Sequence, residues 1–426
     1  MTNFFKRLWR DRRGNALVIA AGALPLVIGS AGLATDTIQW TLWKRQLQRA
    51  ADSGAIAGVY AKIQGQTVTT AVDTDLTKNN QTKITLLSGY PDVDELADTS
   101  QYIKPVRVTL ALQKKLGFSG LFLTTTPTIT ATATAAAIET GEYCVVSLEN
   151  TATTGISIGG TAQVDLGCGM ITNSTSLDAA VAFGTSNVDA SPIAAVGGLD
   201  SGDNWASGTQ LLPFTLAQED PFKDVYPPAP SDCKKLDEYG SGNQNNGVLD
   251  LTSQTGTICL KETNGKLEIK GDVRLGSATY VLDATDLLMT TNTAKLSCTK
   301  CTIVLTSSSA ATTPNTIGKV NITGGDINMT SPDSGPFKGI IFYQDRRVGD
   351  ISPGNTITGN ADSSFTGAFY FPSQAMNFIG TAGLETACVQ LVARRVEFNG
   401  NAAISNTCKP EDGADSFKGR HVRLIA

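Results

Sequence analysis

The residues with the most constrained chemistry in this 426-residue chain are its eight cysteines, Cys144, Cys168, Cys233, Cys259, Cys298, Cys301, Cys388 and Cys408. Thiols can bind zinc, exchange disulfides or close them, and spacing separates these roles. A four-thiolate zinc site needs two close cysteine pairs. Only Cys298-Thr-Lys-Cys301 is close, so no such site is expected. A thioredoxin-like redox pair at Cys298 and Cys301 would need a helix N-terminus to lower a thiol pKa. The flanks Ala294-Lys295-Leu296-Ser297 and Thr302-Ile303-Val304-Leu305 read instead as a turn and a strand, which makes the pair a structural clamp. An even cysteine count confined to one region points to disulfides formed outside the cytosol. Eight cysteines allow about 105 connectivities. Nearest-neighbour pairing is the expectation: Cys144 with Cys168, Cys233 with Cys259, Cys298 with Cys301, and Cys388 with Cys408.

Acid and base chemistry has few candidates. His421 is the single histidine, which removes most Ser/His and Cys/His nucleophile pairs and most histidine metal sites. Glycoside cleavage needs two carboxylates about 5–9.5 Å apart, and a lyase needs a basic proton acceptor. The densest patch is Asp345-Arg346-Arg347-Val348-Gly349-Asp350, with Asp362 further along. Following the apolar run Gly339–Tyr343, it reads as a solvated charged loop. Asp326, after Gly324-Gly325, reads as a turn, and no glycine cluster forms a phosphate-binding fingerprint. No catalytic residue, metal site or cofactor is assigned. The net charge of −5 lacks the basic surface that counterion release from nucleic acid requires.

The elements that carry these residues begin with a membrane segment. Asn15–Ala34, NALVIAAGALPLVIGSAGLA, is uncharged and apolar and has the length to cross a bilayer as a helix. Leu17, Val18, Ile19, Leu24, Leu26, Val27, Ile28 and Leu33 together favour insertion by a few kcal/mol, and Pro25 is a tolerable kink. Lys6, Arg7, Arg10, Arg12 and Arg13 precede the run and Asp36 follows it. The positive-inside rule then keeps the N-terminus cytoplasmic and exports the cysteine-bearing body. Gly32-Leu33-Ala34 also fits a signal-peptidase site, but signal-peptide apolar cores are shorter, about 7–15 residues. A retained anchor is therefore the reading.

Trp40–Gln64 contains no proline, and Trp40, Trp43, Leu47, Ala50, Gly54, Ala57 and Ala61 recur at steps of three and four, the stripe of one helix face. The stripe narrows from Trp to Ala and Gly, so another element can approach its distal half closely. It either packs on this chain's own sheet or forms a seam with neighbouring subunits.

Arg12-Arg13-Gly14-Asn15 entering an apolar helix, Gly32-Leu33-Ala34-Thr35-Asp36 at its exit, and Gln46-Leu47-Gln48-Arg49-Ala50-Ala51-Asp52-Ser53-Gly54-Ala55-Ile56-Ala57-Gly58 beyond resemble the N-terminal region of TadG-like proteins of the Flp/Tad (tight adherence) pilus assembly system. The resemblance covers about 60 residues. It implies a single-pass bacterial inner-membrane or pilin-like component whose body is periplasmic or surface-exposed, with pilus-assembly or envelope proteins as partners. Gly14 stands where a pilin-type signal has its cleaved glycine, but Ile19 occupies the fifth position after it, where that signal has Glu. An anchored assembly or accessory subunit is the reading, rather than a processed major pilin. The Asp-x-Ser-x-Ser metal motif carried by some relatives is not found.

Residues 65–142 show two strands, Lys104–Leu112 and Pro127–Ile138, and read with a helical turn between them as a small α+β collar. From Tyr143 onward, short alternating runs such as Gly155-Ile156-Ser157-Ile158, Asp272-Val273-Arg274-Leu275 and Val396-Glu397-Phe398 recur at irregular spacings, mostly near 20 residues. None can bury a face alone, as in stacked coils. The fold expected is mainly β, a right-handed parallel β-helix preceded by the membrane helix, an extended helix and the collar; a β-sandwich is the alternative. The boundaries expected are a basic segment 1–14, membrane helix 15–38, amphipathic helix 39–64, collar 65–142, disulfide-containing body 143–410 and tail 411–426. Asp220–Asp232, DPFKDVYPPAPSD, is too proline-rich for a coil and reads as a strap. The expected function is a non-catalytic, bilayer-anchored subunit for pilus assembly and adherence, with a surface glycan or a second copy of the chain as further partners. A tethered or secreted carbohydrate-active enzyme, or a glycan-binding adhesin, is the alternative.

Overall fold

The computed structural model describes residues 14–79, 84–358, 363–380, 384–386, 388–400, 403–406 and 417–426, with the backbone alone at 14–17, 140, 380, 384–386, 388 and 403–406. The chain is mainly β with one long N-terminal helix, and it divides into two compact units, residues up to Glu139 with His421–Ala426, and Thr140–Arg420.

In the first unit the membrane and amphipathic segments form one continuous helix, α1 (Gly14–Ile63), running through Pro25. Ser30, Thr35, Thr37 and Thr41 return their hydroxyls to Val27, Ala31, Leu33 and Thr37 carbonyls at 2.8–3.0 Å, so polar side chains in and just after the apolar half are satisfied by the helix itself. The other half packs on α2 (Val68–Lys78) and on an antiparallel sheet of β1 (Asp92–Glu95), β2 (Ile103–Gln113) and the first part of β3 (Thr128–Ser147). The buried stripe of α1 runs through Leu47, Ala51, Gly54, Ala55, Gly58 and Val59, with Ala61 beside it. It is offset from the expected stripe, for Ala50 and Ala57 are only half-buried, because α2 and the sheet flank the helix from two sides. Gly58 is where contact is tightest: a Cβ there would lie 2.9 Å from Val106 and 3.2 Å from Val68.

Two expectations change here. Helix α2 and strand β1 occupy a stretch whose polar composition suggested neither. The last residues of the expected tail 411–426 are hydrogen-bonded to β3: Ile425 donates to the Thr134 carbonyl (2.8 Å) and Thr134 donates to that of Ala426 (2.7 Å).

Every strand pairing described in the second unit is parallel. One ladder stacks Ile258, Tyr280, Ile303, Phe342, Phe369 and Leu391 in register. A second stacks Met289, Ile322, Ile357, Phe378 and Phe398. A third aligns Leu251, Leu275, Cys298, Met329 and Phe365. Buried like side chains thus sit above one another, and Phe342–Phe369 and Phe378–Phe398 are stacked rings at 5.4 and 5.5 Å. Alternation along the strands turns these residues inward. The third ladder leaves Asp250, Arg274, Ser297, Asn328 and Ser364 on its other face, whereas behind the first ladder Val281, Val304, Tyr343, Tyr370 and Val392 are buried in a second cluster.

The stacking order is not the chain order. Residues 388–400 pair on one side with 366–380 and on the other with Val145–Ser147 and Ile156–Ile158. The ladders then continue through Gly169–Thr172 and Ile193–Ala195 to Leu211-Leu212. The first-synthesised rungs therefore extend the last-synthesised ones, and the chain between Leu212 and Val248 must return past the intervening layers.

Candidate functional site

Two regions were candidates on sequence, the N-terminal helix and the Asp345–Asp350 patch, and the structure gives them different characters.

The large side chains of the apolar half of α1 are bare: Val18, Ile19, Leu24, Leu26, Val27, Ile28 and Leu33 are 55–75% exposed. It is the one helix among the described residues long and apolar enough to cross a membrane. Leu17 lies in the helix with its side chain outside the description, and Lys6, Arg7, Arg10, Arg12 and Arg13 lie outside the described residues. Trp40 is exposed, and Trp43 is half-buried with the Lys114 ammonium 4.6 Å from its ring centroid. Off the buried stripe, Lys44 donates to the Thr130 carbonyl and Gln48 to that of Thr132 (2.9 Å), tying the helix to β3.

At the end of the apolar run sits a contact with no counterpart in the sequence reading. Asp36 is buried, and its carboxylate accepts from the backbone N–H groups of Phe118 (2.9 Å) and Ser119 (2.5 Å) and from the Ser119 hydroxyl (2.6 Å). One turn earlier, Gly32 lies under the Phe118 ring, where a Cβ would come within 2.3 Å. The segment held this way includes the 3-10 turn Ser119–Leu121, part of the helical turn expected between the strands. A charge directly after an apolar run was the only signal in the sequence for this clamp.

Residues 14–61 match the family model Tad, described as "Putative Flp pilus-assembly TadE/G-like". The chain carries a TadE/G-like segment. This TadE/G-like match ends two residues short of the end of α1 at Ile63, so the matched segment spans the exposed apolar half of the helix and nearly all of its packed half. No curated protein and no solved structure matches the chain.

The Asp345–Asp350 patch is a loop, as expected, with Arg347 and Asp350 exposed, but its charges are paired and it is not solvated throughout. Asp345 is buried, accepting from Thr306 (2.7 Å) and from Arg347 through its side chain and backbone. Burial pushes its carboxyl up, but the Arg347 and Thr306 hydrogen bonds outweigh this and lower it below the usual range. Asp350 forms a bidentate pair with Arg395 at 2.7 and 2.9 Å. Arg394 and Arg395 also converge on the buried Glu149, each at 2.9 Å. The physical reason for the difference is that neighbouring rungs bring Thr306 beside Asp345 and Arg394 and Arg395 beside Asp350 and the buried Glu149, and a buried carboxylate requires such partners. Arg346 points to the strap, donating to the carbonyls of Lys223 and Phe222 at 2.6 and 2.9 Å. Asp362 lies outside the described residues.

The strap from Asp220 covers the outer side of one ladder. Tyr343 donates to the Val225 carbonyl (2.8 Å), and the Phe222 and Tyr370 rings meet edge to face at 5.4 Å. This cover explains why Ile340–Gln344 is buried at every position: both faces of that strand are occupied. Cys233–Cys259 fastens the end of the strap, and Cys144–Cys168 and Cys298–Cys301 are also bonded. Of the fourth expected pair, Cys388 is described by its backbone alone and Cys408 lies outside the described residues.

Proposed function

We propose that this chain is a single-pass, non-catalytic membrane protein acting in Flp/Tad pilus assembly as a structural or partner-docking subunit. The observation that carries the reading is α1: a TadE/G-like helix with a bare apolar half and a packed polar-flanked half. The basic residues Lys6, Arg7, Arg10, Arg12 and Arg13 before the apolar run favour a cytoplasmic N-terminus. Three disulfides favour an oxidising compartment for the second unit. The anchor residues are then Leu17, Val18, Ile19, Leu24, Pro25, Leu26, Val27, Ile28 and Leu33.

The parallel ladders read as a right-handed parallel β-helix, a scaffold that offers partners a long, rigid surface of repeating rungs. Periplasmic or surface placement and a role in adherence follow from the same reading. A carbohydrate-active enzyme draws little support, since Asp345 and Asp350 are both committed to arginines.

Crosslinking in intact envelopes followed by affinity capture of the full-length chain tests the assignment. Co-capture of pilus-assembly proteins is expected; their absence under conditions that capture other inner-membrane complexes would remove it. A reporter fused after Ala426 tests orientation, with activity on the oxidising side expected.

A further inference from the structure

We infer that Leu121-Phe122-Leu123 is a second membrane-contacting element, seated in the lipid interface beside α1. The inference rests on the reading of α1 as a membrane helix and adds a site to it.

Three consecutive large apolar side chains, Leu121, Phe122 and Leu123, are 75%, 73% and 52% exposed. Such a run left in water is unfavourable and marks a contact surface. Its position identifies the surface. The Asp36 carboxylate holds the segment through Phe118 and Ser119, and the Phe118 ring lies on Gly32. The uncharged run ends at Ala34, and 20 residues of helix span about 30 Å, the bilayer's hydrocarbon thickness. The clamp is therefore at the level where the helix leaves the lipid. Around it, Leu33, Ile38 and Leu42 are also more than half exposed, so the apolar surface of the segment continues that of the helix. The Phe118 and Phe122 rings pack at 5.3 Å, which links the clamped residue to the exposed one. Lys114 over Trp43 supplies the amphipathic aromatic and cation found at membrane–water boundaries.

The contact would fix how deep α1 sits and how the first unit is turned against the lipid surface. A helix held only by its own apolar run can slide and rotate, and a clamped second insertion removes both freedoms.

The test uses full-length protein reconstituted in vesicles of phosphatidylethanolamine and phosphatidylglycerol, with the photocrosslinker benzoylphenylalanine at position 122 or, separately, at position 26. Irradiation followed by mass spectrometry is expected to find lipid adducts at both positions. Lipid adducts at 26 without any at 122 would overturn the inference and leave the anchor standing. Absence at both would overturn the anchor reading itself and this inference with it. In native envelopes, adducts of position 122 to protein alone would likewise overturn it in favour of a protein partner. Asp36→Ala should lower the yield at 122 by about tenfold, as expected for losing hydrogen bonds to a charged acceptor, and leave position 26 unchanged; an unaltered yield at 122 would remove the clamp from the argument.

Discussion

Tyr370 donates its hydroxyl proton to Asp220 at 2.7 Å across 150 positions of sequence, and the same oxygen accepts from Arg346 at 3.0 Å. The Tyr370 hydroxyl is thereby the hinge between a rung of the ladder and the strap that covers it. Burial, with the neighbouring Asp220 carboxylate, raises the phenol well above its ordinary range, so the proton stays in place at any pH the protein meets.

Tyr370→Phe should lower the stability of the second unit by about 1.5–3 kcal/mol, the worth of a hydrogen bond to a charged group. The strap should loosen first. Limited proteolysis would report it as faster cleavage within Asp224–Asp232, and urea unfolding would give the magnitude. An unchanged cleavage rate would mean that the ring contacts with Phe222 hold the strap without the hydroxyl.

Glu149 makes stability depend on acid. Burial pushes its carboxyl up, but hydrogen bonds from Arg394, Thr151 and Arg395 more than reverse this and hold it at about 2, against an ordinary 4.5. Between these values the unfolded chain binds more protons than the folded one. The contribution, about 3 kcal/mol, is therefore complete above pH 4.5 and lost as the pH falls toward 2. Glu149→Gln should destabilise the protein by about that amount at neutral pH, with the gap to wild type closing below pH 4. Urea midpoints of the two proteins between pH 2 and pH 7 would show it; a gap constant with pH would mean that Glu149 stabilises through packing and not through its charge, and no gap at all would mean that Asp350, which shares both arginines, suffices for them.

Two glycines of α1 should respond oppositely to alanine. A Cβ at Gly54 meets Val72 at 3.4 Å and Val108 at 3.7 Å, whereas one at Gly58 meets Val106 at 2.9 Å. Alanine favours a helix over glycine by about 1 kcal/mol, and overpacking costs about 1–3 kcal/mol. Gly54→Ala is thus expected to be neutral or stabilising and Gly58→Ala destabilising, read by thermal melting of helical circular dichroism in detergent. Equal shifts would argue that α1 is loosely docked on α2 and β2.

The disulfides give a chemical prediction. Alkylation of the denatured, unreduced protein should modify none of Cys144, Cys168, Cys233, Cys259, Cys298 or Cys301, and all should react after reduction. Cys233→Ser opens a bridge between residues 26 apart, which a loop-entropy estimate values at about 3.5 kcal/mol, and it should expose the strap to protease. Free thiols in protein isolated natively from envelopes would place the second unit in a reducing compartment.

Much of this protein could be read from residue order. The apolar run Asn15–Ala34, the helical periodicity after Trp40 and the alternating short strands of the body depend on neighbours a few positions apart, and such patterns are local. Three cysteine pairings were legible because neighbouring cysteines fall on adjacent rungs or within one turn. The prolines of Asp220–Asp232 excluded a rung and left a strap.

The tertiary structure alone decided which rungs touch. Nothing near residue 145 announces a partner near residue 392, because parallel pairing places its hydrogen-bonding strand anywhere in the chain that a connection can reach. That choice buried Glu149 between Arg394 and Arg395 and gave Asp350 the same arginines, while the rung carrying Thr306 took in Asp345. Tertiary packing also gave Asp36 its partners, some 80 positions away. Composition fixed what each segment prefers to bury, while the identity of the surface it is buried against emerged only when distant segments were packed together.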